Sequence, residues 1–237
     1  MDIVVDIGNT RIKYGVFEQG QLVDQGHVPG ADQLVERLQP LSIQHLVGAS
    51  VAQPAAEVLA RLPHTGTLLE LSPSTPLPVQ NLYQTPQTLG ADRMAGVIGA
   101  AYLFPGQDCL VIDAGTCITY DLVDKANRYH GGSISPGIDM KFKALHTFTG
   151  RLPLTERTEE SIFIGQNTRE SIQSGVLVGT VAEVQGFISL YRQHYSSLTT
   201  VLCGGDAAFF DTKLKAPIFV IPELVLIGLY RILQHNV

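Results

Sequence analysis

Met1-Asp-Ile-Val-Val-Asp6-Ile-Gly8-Asn9-Thr10-Arg11-Ile12-Lys13 opens the chain, and its pattern decides how the rest is read. The apolar run over 2–6 predicts a buried strand that ends on a carboxylate. Gly8-Asn9-Thr10 then forms a tight turn, in which glycine permits close backbone approach and Asn and Thr add side-chain donors. Residues 11–17 alternate as a second strand through Ile12, Tyr14 and Val16. Such a turn can hold phosphate oxygens, with Asp6 on a magnesium ion directly or through water and Lys13 within reach of a phosphate. It can equally be an ordinary hairpin with Lys13 on the surface, and one turn alone leaves both readings open.

The device recurs at mid-chain. Cys109-Leu-Val-Ile-Asp113 is again an apolar run closing on Asp, followed by Ala114-Gly115-Thr116, and 113 − 6 puts the two acidic turns 107 residues apart in a chain of 237. An internal duplication is the economical explanation. In the first half, periodicity predicts strands over 2–6, 11–17, 21–28, 43–49 and 67–71. Helices are expected from Asp32, as candidate cap, to Leu38, over 53–62, and over the Ala- and Gly-rich 91–103. The Pro- and Ser-rich stretch 72–86 predicts a loop. The second half gives strands at 110–112, 118–123, 127–131, 200–202 and 218–221, and helices at 136–149, 168–191, 207–214 and 224–233. The expected order is β-β-β-α-β-α-β-α twice. That means two α/β domains, 1–105 and 106–237, facing a common cleft, with the last helix able to pack back on the first domain.

Composition narrows the chemistry. With 45% hydrophobic and 16% charged residues the chain can bury a core and is not of disordered type. Lys+Arg 16 against Asp+Glu 22 gives −6 with no basic cluster, which argues against nucleic acid as a partner. Cys109, Cys117 and Cys203 are odd in number, lack a C-x-x-C pair and sit in or beside apolar runs, as reduced cytosolic thiols do. The seven His are scattered without zinc-ligand spacing. The N-terminus has no signal-peptide layout, and no apolar run reaches the ~18 residues of a membrane span. The expectation is a soluble cytoplasmic protein with no membrane partner.

A third constellation is Asn81-Leu-Tyr83 followed by Leu89-Gly90-Ala91-Asp92-Arg93. Asp92 and Arg93 open the helix from 91, where the helix N-terminus and a neighbouring guanidinium keep a carboxylate ionised. An ionised Asp there suits a general base acting on a hydroxyl, and Arg93 suits an anionic group. The plainer alternative is an Asp that only favours the helix dipole and an Arg paired elsewhere. Val201-Leu-Cys-Gly204-Gly205-Asp206 is a strand ending in two glycines before a helix. There is no G-x-x-x-x-G-K-[ST], so a P-loop is not the nucleotide device.

The paired Asp-x-Gly turns resemble the phosphate turns of the actin-like, sugar-kinase and Hsp70 ATPase superfamily, in which a glycine pair such as Gly204-Gly205 lies against the adenosine. With Gly90-Ala-Asp-Arg93, Gly131-Gly-Ser-Ile-Ser-Pro-Gly137 and Gly165-Gln-Asn-Thr168 in order, essentially the whole chain resembles type III pantothenate kinase. The resemblance implies a duplicated ribonuclease H-like (actin-like ATPase) fold. It also implies ATP-dependent phosphorylation of the primary hydroxyl of pantothenate, the first committed step towards coenzyme A. Asp92 would be the base, and Tyr83, Gly90, Ala91, Asp92, Arg93 and Thr168 would contact pantothenate. Asp6, Ile7, Gly8, Asn9, Thr10, Arg11, Ile12 and Lys13, with Thr116, Gly204 and Gly205, would contact ATP. Asp113 would hold a monovalent cation, K+ or NH4+, while Mg2+ accompanies ATP near Asp6. Cys117 stands where the family usually has Ala.

Family members are homodimers whose pocket borrows from the neighbouring subunit. Gly175, Gly179 and Gly186 interrupt the long helix at a cost of ~1 kcal/mol each relative to Ala. Close packing at a seam between subunits and close packing inside the monomer both explain them. A rival reading is a non-catalytic relative acting as an accessory transcriptional regulator, against which stands the joint presence of Asp6, Asp92, Arg93 and Asp113. Another is a sugar or acetate kinase of the superfamily, against which stand the short chain and the Gly-Ala-Asp-Arg segment.

Overall fold

A computed structural model describes residues 1–8, 11–50, 55–158, 162–215 and 217–237. Its elements are β1 (Asp2–Ile7), β2 (Ile12–Glu18), β3 (Gln21–Val28), α1 (Ala31–Leu38), β4 (His45–Ser50), α2 (Ala55–Leu59), β5 (Leu68–Glu70), β6 (Gln80–Asn81) and α3 (Ala91–Leu103). The second half adds β7 (Cys109–Ala114), β8 (Cys117–Val123), β9 (Arg128–Pro136), α4 (Ile138–Thr147), α5 (Thr168–His194), β10 (Thr199–Cys203), α6 (Ala207–Asp211), β11 (Phe219–Val220) and α7 (Leu224–Asn236). The chain divides into two compact units, one of 1–106, 123–131 and 223–237, the other of 107–122 and 132–222.

In the first unit the sheet runs β3-β2-β1-β4-β5. β1 pairs antiparallel with β2 and parallel with β4. Ile3, Val4, Val5 and Ile7 are all buried, so β1 is covered on both faces, which is why its apolar run is continuous rather than alternating. Full burial of each such side chain contributes ~1.5–3 kcal/mol. The β2–β3 turn has Gln19 at φ 50° and Gly20 at φ 85°, the left-handed pair that matches strand twist. α1 begins two residues earlier than a cap at Asp32 would set it. Pro29-Gly30 ends β3, extended Gly30 stands at the N-cap, and Asp32 sits inside the first turn, paired with Arg61 at 2.7 Å.

α3 is rich in Ala and Gly because α7 crosses it closely. A Cβ on Gly99 would strike the Leu224 carbonyl, and one on Gly228 would strike the Ala95 carbonyl. Phe17 of β2 stacks on Tyr230 of α7 with ring centroids 3.9 Å apart, so the last helix belongs to the first unit's core. The Pro- and Ser-rich loop contains one short strand that periodicity missed. β6 pairs parallel with Arg128–Tyr129, and two polar residues among prolines carry no strand pattern.

In the second unit the strands follow β11-β10-β7-β8-β9, the same order as β5-β4-β1-β2-β3. β7 is buried from Cys109 to Ile112 and parallel to β10. Besides the extra strand β6 of the first half, the halves differ in their helices: two, α4 and α5, stand between β9 and β10 where the first half has α1 alone. The second half therefore reads β-β-β-α-α-β-α-β-α rather than repeating the expected order. Tyr120 donates to Glu183 at 3.0 Å and Lys141 donates to Glu183 at 2.6 Å and to Thr180 at 3.1 Å, tying β8, α4 and α5 together. Burial opposes the Glu183 charge, but the Lys141 bond and its companions outweigh it and lower the carboxyl pKa. By length and composition α5 is, among the described residues, the one helix able to cross a bilayer. One face of it, Ile172, Val176, Leu177, Val184 and Ile188, lies in the second unit's core.

Candidate active site

The first acidic turn sits on the first unit. Asp6 is the penultimate residue of β1, half-buried, opposite Lys13 on β2 and Ala49 on β4. Ile7 and Ile12 are buried in the core, so they can offer a ligand only backbone groups. The turn closes through the Gly8 N–H, which donates to the Arg11 carbonyl at 3.2 Å. Arg11 is exposed and Lys13 half-buried. Asn9 and Thr10 lie outside the described residues.

The second acidic turn is built the same way on the second unit. Asp113 is penultimate in β7, in register with Cys203 of β10, and the Gly115 N–H donates to the Cys117 carbonyl at 2.9 Å. Thr116 is exposed beside it. Gly204 has φ 92°, and a Cβ there would strike the Asp113 carboxylate and the Ala114 carbonyl, so only glycine lets the β10–α6 turn lie against Asp113. Asp206 N–H then donates to the Ala114 carbonyl at 2.8 Å, while Gly205 is exposed. From the other side Gly137 N–H donates to the Thr116 carbonyl at 3.0 Å, and a Cβ on Gly137 would strike the carbonyls of Gly115 and Thr116. Segments 113–116, 137 and 204–206 thus converge. A carboxylate bordered by backbone carbonyls is a donor set suited to a hard cation. Among the described residues no three His, Cys, Asp or Glu side chains converge on a metal cage.

The third constellation lies on the first unit. Gly90 (φ −60°, ψ 133°) is the N-cap of α3, and Asp92 is in the first turn. Asp92 Oδ1 accepts the Arg93 N–H at 2.8 Å, and a Cβ on Gly90 would lie 2.5 Å from that oxygen. Gly90 therefore leaves room for the Asp92 carboxylate. Arg93 is buried at 7% exposure, with its guanidinium carbon 5.6 Å from the Tyr83 ring centre. Tyr83 in turn stacks on fully buried Tyr129, ring centroids 6.1 Å apart, and its N–H donates to Asn81 Oδ1 at 2.9 Å. Gly131, at φ 94°, leaves the Tyr83 ring the space a Cβ would crowd at 3.0 Å. A cavity of about 310 Å³ opens beside this turn, lined by Ser72, Pro73, Leu89, Gly90, Ala91 and Met94 among others.

Sequence reasoning missed Tyr129 and the 72–73 lining, because an aromatic inside a strand and a Pro-rich loop are each read by default as core and connector. Thr168 lies on the second unit as the first residue of α5, exposed to solvent. Asn167 Oδ1 accepts the Glu170 N–H at 3.0 Å, and Glu170 Oε2 accepts the Gln166 N–H at 2.8 Å, a reciprocal cap that fixes where the helix starts.

Residues 2–190 match the family described as "Type III pantothenate kinase". A type III pantothenate kinase of Phocaeicola vulgatus is 45% identical across 100% of this chain and 99% of its own length. Among solved structures, one described as a Baf family transcriptional activator from Campylobacter jejuni superposes with TM-score 0.64 at 22% identity, covering 99% of this chain and 98% of that one. The activator of the 2-hydroxyisocaproyl-CoA dehydratase from Clostridium difficile, with bound ADPNP, gives 0.54 at 13% identity over 99% and 95%. At those identities the likeness is one of fold, that of the actin-like ATPases with duplicated ribonuclease H-like halves.

Proposed function

The chain belongs to the type III pantothenate kinase family, and on that premise we propose that it transfers the γ-phosphoryl group of ATP to the primary hydroxyl of pantothenate, giving 4′-phosphopantothenate. Asp92 takes the hydroxyl proton as that oxygen attacks the γ-phosphorus, the bond to the β–γ bridging oxygen breaks, and ADP leaves. One observation carries the base assignment: the Asp92 carboxylate stands in the first turn of α3, with Gly90 making space for it and a cavity alongside. Tyr83, Gly90, Ala91 and Arg93 hold pantothenate, with the Arg93 guanidinium suited to its carboxylate, and Thr168 contributes from the start of α5.

The segment from Asp6 to Lys13 and Thr116 hold the phosphates of ATP, while Gly204 and Gly205 face the adenosine. Magnesium, which Asp6 would hold directly or through water, and K+ or NH4+, which Asp113 would hold, supply charge neutralisation to the phosphates. We read 1–105 and 106–237 as the duplicated ATPase domains of a soluble cytoplasmic enzyme, with the last helix of the second packed on the first. The regulatory name attaches to the Campylobacter jejuni protein; a regulator has no use for a carboxylate given room beside a cavity.

The working form in this reading is a homodimer. Gly175, Gly179 and Gly186 are exposed, and a Cβ on any of them would meet nothing within 4 Å among the described residues. Packing among those residues therefore gives them no reason to be glycine, whereas a facing helix from a second copy does.

The test is an ATP-consumption assay with pantothenate in K+, NH4+ or Na+. Turnover should require pantothenate and favour K+ or NH4+ over Na+, and Asp92→Asn should lower kcat by about 10²-fold or more. No pantothenate-dependent turnover in any cation sinks the kinase reading. Wild-type kcat in Asp92→Asn removes the base assignment alone.

A further inference from the structure

Between α4 and α5, the described residues of 148–167 form neither helix nor strand. The middle of this segment is firmly held. Thr155 is 2% exposed, and Gln173 of α5, itself 5% exposed, donates Nε2 to the Glu156 carbonyl at 3.0 Å. Arg157 then makes three charge-assisted bonds. Its Nε donates to Asp139 Oδ1 at 2.6 Å, its Nη1 to Asp206 Oδ1 at 2.6 Å and its Nη2 to Asp206 Oδ2 at 2.9 Å.

The two carboxylates it joins flank the second acidic turn. Asp139 is in the first turn of α4, two residues after Gly137, whose N–H donates to the Thr116 carbonyl. Asp206 follows Gly204-Gly205 directly, and its N–H donates to the Ala114 carbonyl. One guanidinium therefore links the two segments, 137–139 and 204–206, that hydrogen-bond to the 113–116 turn, while its own segment is pinned to α5. The fork on Asp206, whose side chain is 14% exposed, fixes orientation as well as distance. Asp139 is 66% exposed, and ion pairs at such a surface contribute little to global stability, so the arrangement is better explained by the geometry it imposes.

We propose that Arg157 is a positioning residue for the nucleotide, locking the Gly204–Asp206 turn against the 113–116 turn so that the adenosine and phosphate contacts of ATP are held in register. The proposal rests on the kinase reading in placing ATP at these two turns. Arg157 touches no reacting atom; it acts through Asp206 and Asp139.

The test compares Arg157→Gln, Arg157→Lys and Asp206→Asn with wild type. Three quantities are read: the dissociation constant of ATP by calorimetry without pantothenate, the separate KM values with kcat, and the thermal midpoint. Arg157→Gln should raise the ATP dissociation constant and the KM for ATP about tenfold, leave the KM for pantothenate within about twofold, and move the midpoint by no more than about 2 °C. Arg157→Lys, which keeps the charge and loses the fork, should recover only part of the ATP affinity, and Asp206→Asn should weaken ATP in the same way. An unchanged ATP dissociation constant in Arg157→Gln overturns the proposal. So does a parallel rise in both KM values with a large fall in midpoint, which would mark a purely structural role. If wild type binds ATP yet never turns over pantothenate, the acceptor assignment fails, while the calorimetry still judges Arg157.

Discussion

At the scale of single residues, Gly90 and Asp92 illustrate what a motif leaves unexplained. Gly-Ala-Asp-Arg left two readings open, a base with its anion-binding partner or an Asp that only favours the helix dipole, and the resemblance chose between them; nothing in the letters says why the first residue is glycine. Its φ of −60° is one any residue adopts, so conformational freedom is not the reason. The reason is the 2.5 Å that would separate a Cβ from Asp92 Oδ1. Gly90→Ala must swing the Asp92 carboxylate aside while leaving the backbone unstrained. We expect kcat to fall at least about tenfold from misplacement of the base, with the thermal midpoint unchanged or slightly raised by the loss of glycine flexibility. Steady-state kinetics beside calorimetric melting checks this; a fall in midpoint that accounts for the lost activity would refute it.

At the scale of elements, legibility followed burial. β1 and β7 were plain because strands covered on both faces are continuous apolar runs, and α3 was found at its full extent, 91–103. β6 was invisible because its partner, Arg128–Tyr129, lies nearly fifty positions away and pairs through backbone alone. The β8–β9 turn hid its main support for a similar reason. Asp124, 5% exposed, accepts the N–H groups of Ala126 at 2.9 Å and Arg128 at 3.0 Å and the Arg128 Nε at 2.7 Å, and pairs with His130 Nε2 at 2.8 Å. Burial alone would raise its pKa, but these bonds outweigh it and bring the carboxyl down to about 2. A folded-state pKa below the unfolded one means stability that is complete above about pH 4 and lost as pH falls towards about 2. Asp124→Asn should therefore cost about 2 kcal/mol at pH 7, with the gap in urea midpoint still present at pH 5 and narrowing below about pH 4. A gap that does not change with pH would contradict it. Because Tyr129 of the same hairpin backs Tyr83, the KM for pantothenate should rise in this variant as well.

At the scale of the whole molecule, the duplication is written in strand order, β3-β2-β1-β4-β5 and β9-β8-β7-β10-β11, each central strand carrying its Asp one residue from the end. The second half departs from the repeat by having α5 as well as α4, and α5 has two faces with different tasks. Ile172, Val176, Leu177, Val184 and Ile188 fill a core, while Gly175, Gly179, Ala182, Gly186 and Leu190 form an exposed stripe at helical spacing. From sequence the glycines fitted a monomer core or a seam equally well; the space around them favours a seam, since a Cβ at each meets nothing within 4 Å among the described residues. Gly179→Glu is the sharpest probe. Glutamate is a better helix former than glycine by roughly 0.5–1 kcal/mol, so α5 itself should gain, and the circular dichroism of the subunit should be unchanged. Facing a second copy, the same change puts a carboxylate into a contact sized for hydrogen and must desolvate it without a partner. Sedimentation should then move from dimer to monomer, and kcat/KM for pantothenate should fall in step with the dimer fraction and recover at high protein concentration. A wild type that sediments as a monomer at assay concentrations, or a Gly179→Glu dimer as tight as wild type, would put the seam elsewhere and leave the three glycines without a physical account.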